Sequence, residues 1–238
     1  MSRRIEELLA RGDVEIRGRI AWSSNDARLV SVADRSGAAM EAVYKPRRGE
    51  QPLWDFPPGS LYRREVAAYE LARALDWPIV PETVLRADGP LGPGMLQRFV
   101  DHDPRVHYFV LLDDRPDELR RFAVFDVVAN NADRKAGHCL LARADDRVYG
   151  IDHGLTFHAL PKLRTVIWDF AGEPLTGGER LALERLTRQL DGALGRRLAD
   201  LLDPDEVVAT RSRTVALLHA GALPEPEDGY RSVPWPLV

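Results

Sequence analysis

The apolar residues of this 238-residue chain change period once, and that change limits the possible folds more than any other feature. Between residues 14 and 45 they alternate: Ile16, Ile20 and Trp22, then Leu29, Val30 and Val32, then Met40, Ala42 and Tyr44. A period of two puts one face of a strand in a core. The stretch therefore predicts two or three antiparallel strands, turned at Ser23-Ser24-Asn25 and at Asp34-Arg35-Ser36-Gly37. From about Pro116 the period lengthens to that of helices. Asp117 and Glu118 open a helix through Leu119, Phe122, Phe125 and Val128, with negative charge at the end where the helix dipole favours it.

Between these regions lies a Gly- and Pro-rich loop from Pro46 to Gly59. A helix of about 16 residues follows Ser60, a candidate N-cap, with Tyr62, Val66, Tyr69 and Ala72 on one face. Ile79-Val80, Val84-Leu85 and the run from Met95 to Val100 read as strand pieces. In the tail, Leu183, Leu186, Leu190 and Leu194 mark one helix. Asp203-Pro204-Asp205-Glu206 opens another, with Asp at N-cap, Pro at N1 and Glu at N3, and Gly221 stops it. The expected fold class is α+β with two lobes: a small β-rich N-lobe over 14–94, a hinge over 95–101 and a larger helical C-lobe over 102–238.

Composition removes several function classes. The formal charge of −4 argues against a protein that coats nucleic acid or an anionic membrane. Cys139 is the single cysteine, which excludes an internal disulfide and a cysteine-built zinc site and suits a reducing, cytoplasmic setting. No run approaches the roughly 18 apolar residues of a membrane span, and MSRRIEELLARGD does not read as a secretory signal. Only Lys45, Lys135 and Lys162 are lysines among 33 basic residues, so each lysine is a candidate for a specific role.

The chemistry concentrates in two places. Asn130-Asn131-Ala132-Asp133-Arg134-Lys135-Ala136-Gly137-His138 is a polar loop between an apolar helix and an apolar strand, and Gly150-Ile151-Asp152-His153-Gly154 closes a hairpin turned at Ala144-Asp145-Asp146. A turn centred on Asp145 would pair Arg143 with Arg147 and bring His138 opposite Asp152, with Cβ atoms about 4.5 to 5.5 Å apart. One divalent cation could bridge that imidazole and carboxylate and in turn bind a phosphate. Asp126 shares a helix face with Phe122 and Ala123, so it is expected to point inward and brace the loop.

The segment FDVVANNADRKAGHCLL followed by VYGIDHGLTF closely resembles the catalytic loop and metal-binding strand of the phosphatidylinositol 3- and 4-kinase superfamily, especially the type II phosphatidylinositol 4-kinases. More loosely, it is similar to HipA-like kinases. VYKP, RREVAAYELARALDWPIVPETVL and GMLQRFV resemble the nucleotide-binding lysine strand, the helix bearing its acidic partner, and the interlobe hinge, in that order, over roughly residues 20 to 160. The resemblance implies a kinase-like fold that binds ATP with Mg²⁺ or Mn²⁺. It assigns Lys45 to the α- and β-phosphates and Glu65 to orienting Lys45, with Glu70 as the other candidate partner. Gln97, Arg98 and Phe99 line the adenine slot, partly through backbone groups, and Ser23, Ser24 and Asn25 take the place of the phosphate-covering turn. Asp133 receives the acceptor's proton, supported by Asp126, while Arg134 and Lys135 either bind substrate phosphate or keep the loop soluble. Asp152 and His138 hold the metal. Phosphoryl transfer is mostly positioning and charge neutralisation, which is what such residues supply.

Three departures stand out. His138 replaces the family's Asn, and imidazole suits softer ions than Mg²⁺. There is no glycine between Trp22 and Leu29. The cysteine-rich, lipid-modified insert of type II lipid kinases is missing, which favours a soluble acceptor over a membrane lipid. Three functions follow: a phosphotransferase acting on a hydroxyl of a protein, small molecule or inositol lipid; a nucleotide-binding regulator without turnover; and a metallohydrolase built on His102, Asp103, His107, His138 and Asp152. Trp235-Pro236-Leu237-Val238 is an apolar run suited to docking on the chain itself or on a partner.

Overall fold

The alternating stretch becomes β1 (Asp13–Arg19), β2 (Arg28–Ala33) and β3 (Ala39–Pro46), an antiparallel meander in which Val30 faces Ala42 and Val32 faces Met40. The computed structural model describes residues 2–20, 26–227 and 231–238, so the expected turn at Ser23, Ser24 and Asn25 lies outside the described residues. After α2 (Leu61–Leu75), β4 (Thr83–Arg86) and β5 (Gly94–Arg98) complete an antiparallel sheet of order β1-β2-β3-β5-β4. β5 pairs with β3 so that Lys45 faces Met95. Ile79-Val80, read as strand, instead lies buried in the connection before β4.

Residues expected to precede the N-lobe belong to it. α1 (Ser2–Arg11) carries Ile5, Leu8 and Leu9 at helical spacing, and they pack on Val30, Val32, Ala42, Tyr44 and Leu96. The sheet therefore has helices on both faces, α1 on one and α2 on the other. Met95 to Arg98, expected as the first part of the hinge, are ladder residues of β5.

α2 starts after Ser60, but the Ser60 hydroxyl donates to the Pro57 carbonyl at 2.7 Å instead of capping the helix. Glu50, from the preceding loop, accepts the Tyr62 N–H at 2.8 Å and satisfies one of the free first-turn donors.

The C-lobe contains α3 (Tyr108–Leu111), α4 (Pro116–Ala129), the hairpin β6 (Cys139–Leu141) and β7 (Val148–Gly150), α5 (Gly177–Leu190), α6 (Ala193–Ala199) and α7 (Pro204–Ala220). The leucine row expected to form one helix breaks at Asp191-Gly192, which puts Leu194 on α6. α7 begins as its sequence indicates, with the Asp203–Glu206 capping box and Pro204, and ends at Gly221 with φ of 70°. One apolar core runs from Tyr62, Val66 and Met95 through Phe122 and Phe125 to Leu183 and Leu198, joining α2 to the C-lobe helices. Among the described residues, no helix is long and apolar enough to cross a membrane.

The hairpin register differs by one residue from the expected one. Cys139 pairs with Gly150, Leu140 with Tyr149 and Leu141 with Val148. The turn is longer than a turn centred on Asp145, because Ala142 N–H reaches Arg147 O at 2.9 Å and Asp146 takes a left-handed φ of 56° to close it. His138 is therefore level with Ile151, whose N–H donates to His138 O at 3.0 Å. Gly150 is required here, since a Cβ would lie 2.6 Å from Phe122 and 3.2 Å from the Arg134 guanidinium.

Candidate active site

β3, α2 and the residues after β7 converge on one ammonium. Lys45 Nζ donates to Glu65 Oε1 at 2.5 Å and to Asp152 Oδ1 at 2.8 Å. β3 directs Lys45 to the α2 face of the sheet, and Glu65 is buried where α2 crosses it. Glu70, the alternative partner, turns away to Arg197 at 3.0 Å and Arg73 at 3.5 Å. Arg64, adjacent to Glu65, is likewise committed elsewhere, to Glu206 at 2.6 Å and the Thr156 carbonyl. Burial disfavours the Lys45 charge, but the Asp152 and Glu65 carboxylates outweigh it and hold the lysine protonated well above its usual range. Lys45 in turn holds the Asp152 carboxyl below the usual carboxylate range, while burial pushes Glu65 up.

Asp152 has a left-handed φ of 60°, and this bend redirects its carboxylate. Its Oδ2 lies 3.5 Å from His138 Nε2 although the two residues are not ladder partners. The Asp152 side chain is 41% exposed, so one edge of an ionised carboxylate stays open toward the cleft. His138 is neutral, its pKa pushed down to about 4 by burial. Lys135 N–H approaches His138 Nδ1 at 3.4 Å, an arrangement that places the ring proton on Nε2, facing Asp152. Metal ligation by Nε2 therefore needs the other tautomer.

The loop after α4 is built around a buried ion pair. Asp126 accepts from Arg134 Nε at 3.0 Å and Nη2 at 2.9 Å, from Asn131 Nδ2 at 2.9 Å and from Thr165 Oγ1 at 3.2 Å. Asp126 thus braces the loop as its helix position implies. Arg134 is fully buried, which corrects its assignment as a group that meets substrate: its guanidinium is a strut inside the loop. Asn131 appears in the sequence only as part of the polar loop, yet its Oδ1 accepts the Asp133 N–H at 3.0 Å and so orients Asp133. Asp133 remains accessible, with Lys135 Nζ at 3.3 Å, and burial raises its pKa above the usual carboxylate value.

Other expected residues have partners of their own. Gln97 Nε2 donates to Thr83 Oγ1 at 2.9 Å across β5 and β4. Arg98 pairs with Glu82 at 2.6 Å and lies 4.7 Å over the Tyr149 ring, and the Phe99 N–H goes to Glu41 O at 3.1 Å. These partners leave neither Gln97 nor Arg98 as a free side chain for a base. Val100, Leu140, Ala142 and Tyr149, with Ile151 against them, form a small apolar cluster. The metallohydrolase set does not assemble: His102 Nδ1 meets Val100 O at 2.8 Å and Asp103 binds Arg105. Among the described residues, no three His, Cys, Asp or Glu side chains gather as a metal centre.

No family model matches the chain. Solved structures of similar fold include the Golgi casein kinase with Mn/ADP bound, with a TM-score of 0.58 and 12% identity over 92% of this chain and 74% of that one. Hydra Fam20 with sugar gives 0.58 and 13% over 92% and 87%, and the Helicobacter pylori proinflammatory kinase CtkA gives 0.54 and 11% over 90% and 94%. The two-lobed α+β architecture is thus a kinase-like fold. In sequence, the chain is 40% identical over 264 aligned positions, covering 96% of its length and 94% of the relative, to Protein Rv2133c of Mycobacterium tuberculosis. The chain therefore belongs to the family of the mycobacterial Protein Rv2133c.

Proposed function

We propose that this protein is an ATP-dependent phosphotransferase that moves the γ-phosphate to a hydroxyl acceptor. The observation that carries the reading is the Lys45 ammonium held between Glu65 and Asp152 at 2.5 and 2.8 Å, beside a second, accessible aspartate, Asp133. A buried ammonium fixed by a helix carboxylate is a site for polyphosphate charge, and the kinase-like fold supports the same reading. Lys45 would bind the α- and β-phosphates and Glu65 would hold it in place.

The donor set fits a hard divalent cation: Asp152 supplies an ionised, half-exposed oxygen ligand, and phosphate oxygens and water complete such a sphere. The cation would neutralise phosphate charge. Asp133, raised by burial toward a better base, would take the proton as the acceptor oxygen bonds to the γ-phosphorus and the bond to the ADP oxygen breaks. His138 favours Mn²⁺ over Mg²⁺, because imidazole is the softer ligand.

The test is the melting temperature with ATP and either Mg²⁺ or Mn²⁺, for wild type, Asp152→Ala and Asp133→Asn. ATP at about 100 times its dissociation constant stabilises the fold by about 2.7 kcal/mol. A metal-dependent shift lost in Asp152→Ala and kept in Asp133→Asn, with transfer lost in Asp133→Asn, supports the phosphotransferase. A shift without transfer in wild type favours a second reading, a nucleotide-binding regulator, motivated by the His138 tautomer. No shift with either metal overturns both.

A further inference from the structure

Adjacent side chains of α2 reach different lobes. Glu65 meets Lys45 of β3 at 2.5 Å, and Arg64, about 100° round the helix from it, enters the C-lobe. Arg64 is only 1% exposed, so its charge needs partners. Its Nη2 donates to Glu206 Oε1 of α7 and its Nη1 to Thr156 O, both at 2.6 Å, and its guanidinium lies 4.9 Å over the Phe56 ring. Glu206 is itself fixed, because its Oε2 accepts the Asp203 N–H at 3.1 Å in the cap of α7.

Thr156 carries this contact back toward the site. Thr156 Oγ1 donates to His153 O at 2.6 Å, and the His153 N–H returns to Glu65 Oε2 at 2.9 Å. Arg64, Thr156, His153 and Glu65 therefore close a ring of interactions that begins and ends on neighbouring residues of α2. Asp152 directly precedes the ring, with its left-handed φ of 60° and its carboxylate on Lys45. The same segment also holds the end of α4 and the loop to Asp133, through Phe157 N–H to Ala129 O at 2.6 Å and Ala132 N–H to Leu155 O at 2.8 Å. A buried Arg–Glu pair is not needed for stability alone, since apolar residues of similar volume often pack as well or better. What an apolar replacement does not reproduce is the geometry.

We propose that Arg64 is a positioning residue of the transfer site: anchored on Glu206, it clamps residues 153–156 against α2, so that Glu65 from one lobe and Asp152 from the other meet Lys45 together. Its role in transfer rests on the phosphotransferase reading, while the clamp rests on the hydrogen bonds alone. Arginine suits the task because its planar fork of donors spans a carboxylate and a carbonyl at once.

The test variant combines Arg64→Met with Glu206→Gln. It removes the fork without stranding a buried carboxylate, and glutamine keeps an acceptor for the Asp203 N–H. Two readouts separate positioning from simple loss of stability. In the nucleotide-free protein, hydrogen exchange at the His153 amide is expected to quicken by about tenfold or more, while amides of the β2–β3 ladder keep their rates. Unchanged protection at His153, or an equal loss at His153 and the ladder, overturns the clamp. In calorimetric titrations with ATP and Mn²⁺ well below the melting temperature, the Kd is expected to rise by about tenfold, as when the arranged site falls to about a tenth of the molecules. A Kd equal to that of wild type overturns the positioning role, because a lost fraction of folded protein changes the number of sites and not their affinity. Where the double variant does not melt cooperatively, Arg64→Lys gives the same comparison, keeping the charge and losing the fork. Absence of ATP binding by the wild type removes the phosphotransferase reading, and the exchange at His153 then still decides the clamp.

Discussion

Arg134 Nη2 lies 2.8 Å from His153 Nε2, and because a guanidinium can only donate, the histidine nitrogen must accept. The neutral ring then carries its proton on Nδ1, which lies 4.0 Å from Glu65 Oε2, while the His153 N–H donates to that same oxygen at 2.9 Å. Asp126, Arg134, His153, Glu65 and Lys45 therefore form one polar chain from the Asp133 loop to the lysine of β3.

That chain makes stability fall in mild acid. Burial lowers the His153 pKa well below 6.5, and Arg134 lowers it further. Below about pH 6.5 the unfolded state takes up a proton that the folded ring refuses, so stability decreases as pH falls, by up to about 1.4 kcal/mol per pH unit. Urea midpoints between pH 7.5 and 5 should show this slope, and His153→Asn should reduce it, leaving the part contributed by His138, whose pKa burial also pushes down. An unchanged slope in the variant would assign the effect to other groups.

Breaking the Asp126–Arg134 pair should cost more than replacing both partners. Asp126→Ala leaves a fully buried guanidinium without its carboxylate, a loss of about 3–5 kcal/mol. Asp126→Ala combined with Arg134→Met removes the stranded charge and should recover part of that loss in thermal unfolding. A double variant no more stable than Asp126→Ala would show that the cost lies in packing.

Lys45→Met should destabilise the protein in a pH-dependent way. Without the ammonium, Glu65 and Asp152 face each other and both carboxyl pKa values rise above their unfolded values, so stability is present in acid and lost as pH rises through them. The deficit relative to wild type should be greater at pH 8 than at pH 5. Its growth is at most about 1.4 kcal/mol per pH unit for each carboxyl, less the solvent screening at half-exposed Asp152. A deficit that does not change with pH would mean that the lysine is not the counter-ion of the pair.

His138→Asn should move metal preference toward Mg²⁺. It replaces a neutral imidazole 3.5 Å from Asp152 with an oxygen donor suited to the harder ion. The ratio of ATP-induced melting shifts in Mg²⁺ and Mn²⁺ reports this, and an identical ratio in both proteins would place His138 outside the metal's reach.

Much of this protein was legible in the sequence because the signals act over a few residues. The β1–β3 alternation, the Asp203-Pro204-Glu206 start of α7, the inward face of Asp126 and the polar loop around Asp133 each depend on neighbours within a turn or a strand. Tertiary structure decided whatever depended on distant partners. Glu50, not Ser60, satisfies the first turn of α2, because the loop before that helix brings its carboxylate there. Arg134 is a strut and not a surface cation, because Asp126, Thr165 and His153 enclose it from three separate segments. His138 meets Asp152 through a left-handed residue after a ladder whose register is one residue away from the expected pairing, since a side-chain direction is set by backbone torsion that no local periodicity encodes. The apolar run at the end of the chain docks on the chain itself, with Leu237 O accepting the Ala136 N–H at 2.8 Å and Ser232 O the Thr165 N–H at 3.0 Å. This has the same origin: main-chain hydrogen bonds carry no side-chain signature, so only the folded chain decides where they form.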